Sequence, residues 1–282
     1  MTTTADAKTD TPAAGPGRPA GASADLSVGL PSAMAGEWTK IRTLRSTMWC
    51  LALFAALSVA VALLTGFFMG PSLEGMDARE RAKFDPLSTG LSGLRLGMLA
   101  LVAFGVLTVS SEYTSGTIRS SLAAVPRRFV FYGAKLLTGT VTACAVSLVV
   151  VGVSFFATQL ALGRPSSVGL TDEGVPRVLV CAMLYTTLLC VFAMGLASVL
   201  RSSALTLGIL IPLFFMLSTI LNNIPGVRKV AQFLPDAAGD VALYQEPPSG
   251  TVLSAWSGMT VLAAWALLAA AAGYAAVRRR DA

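Results

Sequence analysis

Histidine is absent from the whole chain of 282 residues, which removes the commonest metal ligand and the commonest general base together. Charge is scarce too. Asp, Glu, Lys and Arg make up 13% of residues while hydrophobic ones make up 54%, where a soluble domain carries about 25% charged residues. A soluble core is excluded on that balance. Cys50, Cys144, Cys181 and Cys190 all fall inside apolar runs and none in a polar connection, so they read as small hydrophobes, with no disulfide and no metal site expected. The dipeptide Gly-Lys occurs nowhere. Without a Gly-x-x-x-x-Gly-Lys-Ser/Thr loop the chain cannot cradle and hydrolyse ATP in that manner. The opening residues, rich in Thr, Ala, Pro and Gly, contain no apolar stretch of the kind a cleaved signal peptide needs. Residues 1–32 read as a disordered tail on the cytoplasmic side.

Long apolar runs dominate what remains: Met48–Gly70, Leu94–Ser110, Leu136–Leu162, Val178–Leu200, Ala204–Leu221 and Trp256–Val277. A hydrocarbon core of about 30 Å takes roughly 20 helical residues to cross. Six spans predict an all-α integral membrane protein with both termini on one side. Placing them inside gathers Lys40, Arg42, Arg45, Arg119, Arg127, Arg128, Lys135, Arg201 and Arg278 to Arg280 on the cytoplasmic face, as the retention of positive charge there requires. In the opposite connections Arg79, Arg81 and Lys83 are offset by Glu74, Asp77, Glu80 and Asp85, and Arg164 and Arg177 by Asp172 and Glu173. The net charge of +6 records this asymmetry; no contiguous basic surface suggests nucleic-acid binding.

Ahead of the first span, Met34, Trp38, Ile41, Leu44 and Met48 recur at helical spacing, with Glu37, Lys40, Thr43 and Arg45 between them. This predicts an amphipathic helix over 33–47 in the inner interface, turning into the membrane at Ser46–Trp49. The alternative is a plain extension of span one. A short helix is expected around Asp77–Phe84, and Arg95 reads as a snorkelling side chain at the outer interface, the alternative being a substrate contact inside the membrane. Between spans five and six, Pro225, Pro235, Pro247 and Pro248 interrupt a segment that still carries Val230, Phe233, Leu234, Val241, Leu243 and Tyr244, which predicts short helices lying on or dipping into the outer leaflet. Small residues (Gly139, Gly152, Ser154; Ala193, Gly195, Ala197, Ser198; Ala269, Gly273) predict close packing of spans three, four and six. Pro212 is expected to kink or interrupt span five.

The segment Ser111–Arg128 is patterned beyond what a loop needs. Ile118, Leu122 and Val125 share one face of a short helix, which Thr114 or Ser115 can cap and Pro126 stops. The expectation is an apolar ridge offered to a cytoplasmic partner, with Arg127, Arg128 and Lys135 holding its rear on the anionic leaflet. Glu112, at the lipid boundary, needs a partner, for which Arg119 and Lys135 are the candidates.

At Glu37-Trp38-Thr39-Lys40-Ile41-Arg42-Thr43-Leu44-Arg45-Ser46, Glu112-Tyr113-x-x-Gly116-Thr117-Ile118-Arg119, and Phe233-Leu234-Pro235 the chain resembles the membrane subunits of ABC-2 type transporters, especially small actinobacterial permeases. The resemblance covers roughly residues 34–280. It implies a six-helix permease domain over 48–280 in the bacterial cell membrane, paired with a second permease chain and driven by a separate ABC ATPase subunit that binds the ATP and Mg. It also implies a coupling helix between spans two and three, giving Glu112, Gly116, Thr117, Ile118, Arg119 and Leu122 contact with that ATPase, and a connecting helix carrying Trp38, Lys40, Ile41 and Leu44. Export of a lipophilic or amphipathic compound is the corresponding expectation.

A pathway along spans two and five would use Thr108, Phe214, Phe215, Ser218 and Thr219 for polar and aromatic contact. Gradient-driven transport would ordinarily need ionisable groups or broken helices at mid-bilayer, where this chain has almost no charge. An intramembrane enzyme would need a base to activate Ser, Thr or Cys, and none is evident. A non-transporting scaffold or immunity protein would need no ATPase.

Overall fold

In lipid, a backbone has nothing but itself to bond to, so apolar runs of this length close each N–H onto a carbonyl of the same segment. A computed structural model describes residues 29–75, 77, 85–163, 168–224, 226–246 and 250–279, and the regular structure among them is all helical. Six stretches are long and apolar enough to cross a membrane: Arg45–Ser72, Pro86–Thr114, Arg128–Leu162, Val175–Leu200, Ser203–Asn222 and Ala255–Arg279. Each contains or nearly matches one of the apolar runs. The molecule is a multi-pass membrane protein.

Two spans form the centre. Of the most apolar stretch, 67% is buried in α4 (Ser92–Thr114, continuing from α3, Pro86–Gly90) and in α7 (Val175–Leu200), against 22% in α2 (Arg45–Glu74), 24% in the Ser203–Asn222 span and 22% in α12 (Ala255–Arg279). The outer helices turn Leu53, Phe67, Phe68, Leu148, Phe156, Leu267 and Leu268 outward, where only lipid makes such exposure favourable. The α7–α12 contact is the most extensive in the bundle. A side chain at Gly195 would strike the Ala269 and Ala270 backbone, and one at Gly273 would meet the Gly195 carbonyl and Tyr132, so the two backbones approach as small-residue packing predicts. Gly152 faces open space and takes no part.

The first helix, α1 (Leu30–Thr43), begins with Pro31 in its first turn, inside the stretch read as tail. It stops at Leu44, whose backbone is extended (φ −77°, ψ 113°). The Thr47 hydroxyl fastens this bend by donating to the carbonyls of Ile41 (2.8 Å) and Leu44 (2.7 Å). The turn into span one therefore lies at Leu44, ahead of Ser46–Trp49. Residues 78–84, where a short helix was expected, lie outside the described residues. The Asp85 side chain caps α3 through the N–H groups of Leu87 and Ser88.

Span five is composite. α8 (Ser203–Pro212) gives way to a π-helical turn, Leu213–Leu217, before α9 (Ser218–Asn222). Proline has no N–H to give to the residue four back, and the wider turn that follows absorbs the break. The next connection holds α10 (Arg228–Ala231), α11 (Pro235–Asp240) and one 3₁₀ turn, Val241–Leu243. Ala238, Ala242 and Leu243 are buried, and Arg177 of α7 donates to the carbonyls of Tyr244 (3.0 Å) and Gln245 (2.9 Å). The second half of this connection thus packs into the bundle, while Val227, Val230 and Phe233 in its first half are exposed.

Candidate functional site

The end of the bundle that holds α1 and the last turn of α12 also holds α5 (Ile118–Ala124), between α4 and α6 (Arg128–Leu162). Four charges meet there. Lys135 of α6 donates to Glu37 Oε2 of α1 (2.7 Å) and Glu112 Oε1 of α4 (2.9 Å), and Lys40 of α1 donates to Glu37 Oε1 and to Glu112 Oε1, both at 2.6 Å. Glu37, Glu112 and Lys135 are each at least 94% buried, while the Lys40 side chain is 40% exposed. Lys135 also lies over the Phe131 ring, 5.6 Å from its centroid. Two acids and two bases cancel, and the hydrogen bonds between them offset part of the cost of taking them out of water. Burial pulls the Lys40 ammonium down, but the hydrogen bonds and fields of Glu112 and Glu37 outweigh it and hold the group above the ordinary lysine value. The cluster binds three helices, α1, α4 and α6, at one point.

The sequence offered Lys135 as a partner for Glu112, and the two pair, but it placed the other residues differently. Glu37 stands on the polar side of α1 in the helical pattern, yet it and Ile41 form the inward face, while Trp38 (45%) and Leu44 (40%) are exposed. Lys135 is not a leaflet anchor but the centre of the cluster. Among the described residues the ion pairs of Glu112 are with Lys40 and Lys135, and Arg119 is exposed. Arg128 instead donates to the carbonyls of Val277 (3.1 Å) and Arg278 (2.6 Å), capping α12.

Between α4 and α5 the chain reverses at Gly116, whose φ of +71° lies in the left-handed region that a side chain disfavours. Thr117 stands at the start of α5 without a side-chain cap. Thr114 and Ser115, the expected caps, return their hydroxyls to the carbonyls of Ser110 and Ser111. The apolar ridge is also turned round. Ile118 is buried, sharing a crevice with Val109, Phe131 and Lys135, and Leu122 and Val125 are half-buried. Gly116, Thr117, Arg119, Ser120 and Ala123 form the exposed side. Two residues after α5 ends, Pro126 precedes α6 as anticipated.

At the far end, a cavity of about 470 Å³ opens between α4, α7, the π turn, α9 and α11. Three of the candidate pathway residues, Phe214, Phe215 and Ser218, line it. Thr108 does not; it is buried near the other end, its carbonyl 3.5 Å from Lys135 Nζ. The Thr219 side chain lies outside the described residues. Arg95 also lines the cavity and does not snorkel freely: its Nε and Nη2 grip Asp240 Oδ1 (2.9 Å) and Oδ2 (2.7 Å), and Nη2 reaches the Tyr244 hydroxyl. Asp236, beside it, was not foreseen. It is 94% buried and accepts from the Ser218 hydroxyl (2.7 Å). Burial pushes its carboxyl up to about 6, against the lowering effect of the Ser218 and backbone hydrogen bonds. The only sequence signal for it was an acid following Leu-Pro in an otherwise apolar stretch.

No group of histidine, cysteine and acidic residues among the described residues is arranged to hold a metal ion. A family profile described as ABC-2 family transporter protein matches residues 33–221, which include α1, five spans and α5. A search of curated proteins finds no match.

Proposed function

The chain belongs to the ABC-2 transporter family, and from that premise we propose that it is the membrane-spanning half of an ATP-driven exporter whose ATPase is a separate polypeptide. As the family implies, its own role is non-catalytic. The observation that carries the reading is the four-charge cluster. It joins α1, α4 and α6 immediately beside α5, so a push on α5 or α1 is delivered to two spans at once instead of being lost in a loop.

In this reading α5 is the coupling helix and its end of the bundle is cytoplasmic, with α1 lying along the membrane surface, Trp38 and Leu44 toward lipid and Ile41 toward the bundle. Gly116, Thr117 and Arg119 form the contact with the ATPase, while Ile118 and Leu122 fasten the helix to the bundle and Glu112 and Lys40 relay its movement. ATP and Mg sit on the partner. Closure of the ATPase dimer then rocks two permease chains, identical or different, between inward and outward openings in a bacterial plasma membrane. The far cavity belongs to the cargo route, in keeping with a lipophilic or amphipathic compound.

Extraction of the tagged chain in mild detergent tests the reading. A nucleotide-hydrolysing partner is expected to co-purify, and Gly116→Pro or Arg119→Glu is expected to lose it while the chain stays in the membrane. Recovery of the chain alone after crosslinking, with no ATP hydrolysis, would overturn it.

A further inference from the structure

The far cavity holds more negative charge than it cancels. Asp240 is occupied by Arg95 in a two-point grip. Asp236 accepts from Ser218 of α9 and shares the cavity with Ser92, Asn222 and Tyr185 of α7, whose hydroxyl points to Met98 Sδ (3.3 Å). No lysine or arginine forms an ion pair with Asp236 among the described residues. A carboxylate buried this far is normally paired with a cation or kept neutral. Here it faces a space of about 470 Å³, a size ordinary for a small-molecule site. Phe214, Phe215, Leu96 and Met98 supply apolar lining. Phe214 and Phe215 lie on the π turn, which ends just before Ser218 meets Asp236.

We propose that this cavity binds an amphipathic monocation, with its charged group against the Asp236 carboxylate and its apolar body against Phe214, Phe215, Leu96 and Met98. As a statement about cargo it rests on the transporter reading; as a statement about binding it rests on the cavity of a single chain. The cation supplies the charge that Arg95 cannot, since the guanidinium is spent on Asp240. An anion of the same shape meets a net negative wall and is refused.

Tetraphenylphosphonium and tetraphenylborate are near-identical in shape and opposite in charge, and the phosphonium has no proton to lose. Their binding to the chain in lipid nanodiscs, with binding to empty discs subtracted, is the test. Saturable binding of tetraphenylphosphonium is expected, at least about tenfold tighter than tetraphenylborate, because the carboxylate is a buried partner for one and a repulsive neighbour for the other. Asp236→Asn keeps the shape and the Ser218 contact and is expected to abolish the discrimination. In the unsubstituted chain tetraphenylphosphonium affinity is expected to fall as pH drops from about 8 to about 5, as Asp236 takes up its proton; in Asp236→Asn it is expected to be flat. Equal binding of the two ions, absence of saturable phosphonium binding, or discrimination that survives Asp236→Asn would overturn the proposal. The two-ion comparison needs no variant. Charge-selective binding by a chain that carries no ATPase would leave the site standing and sink the exporter reading, and an associated ATPase without selective binding would do the reverse.

Discussion

Both ends of the bundle hold buried charge, but in different proportion. Around Lys135, two carboxylates meet two ammonium groups, each bonded to the others. Around the far cavity, Asp236 and Asp240 share a single guanidinium, and Asp240 holds it. A balanced cluster has no net charge to offer a ligand and serves to join helices; an unbalanced one is complete only when something else arrives. The same chemistry thus makes a fastening at one end and a receptor at the other.

The sharpest way to break this comparison is to unbalance the fastening. Lys135→Met leaves Glu37 and Glu112 buried with only the half-exposed Lys40 between them, and is expected to cost about 3–5 kcal/mol, seen as a large drop in the thermal unfolding midpoint in detergent. Adding Glu112→Met restores the charge balance as a Glu37–Lys40 pair and should recover most of that loss. A single substitution that costs no more than the double would mean the cluster does not work as a unit.

Asp236 should show the opposite sign. Its carboxyl is raised from 3.8 to about 6 in the folded protein, so the folded state binds the proton more tightly than the unfolded one. Stability is then fullest below pH 3.8 as far as this group is concerned, falls as pH rises through about 6, and stays lower above that. Asp236→Asn removes the penalty and is expected to stabilise the chain at neutral pH by on the order of 2 kcal/mol, with the pH slope gone. A functional group that weakens its own fold in this way is the mark of a site shaped for a ligand.

The smallest effect is expected at Lys40. Water can replace much of what its exposed side chain supplies, so Lys40→Ala should cost less than about 1 kcal/mol. Since the ammonium is held above its ordinary value, its contribution is present at neutral pH and lost as pH rises through the raised value, where variant and unsubstituted chain should converge in an alkaline melting series.

What the sequence made legible was whatever depends on one segment alone. The six spans follow from unbroken apolar length, and Pro212 announced a disruption in span five because a missing N–H is a local fact. Glu37 and Lys135 are 98 residues apart, and each viewed alone is an ordinary interfacial charge; only the fold shows that they face one another. The ridge of Ile118, Leu122 and Val125 was legible as a ridge, but periodicity gives no sign of whether an apolar stripe greets a partner or the chain's own bundle. Asp236 was hidden for the same reason, since its meaning comes from Ser218 and from Arg95 being engaged by Asp240 instead.

The turn at Leu213–Leu217 also has a genealogy written into it. A π turn is an α-helix that has taken in one residue without losing its continuity. Removing that residue, for instance Met216 on the exposed side, would restore an ordinary helix and swing everything beyond it by about 100°, carrying Ser218 away from Asp236. A single-codon deletion at this point is therefore expected to dismantle the cavity while leaving all six spans the same to any hydropathy profile.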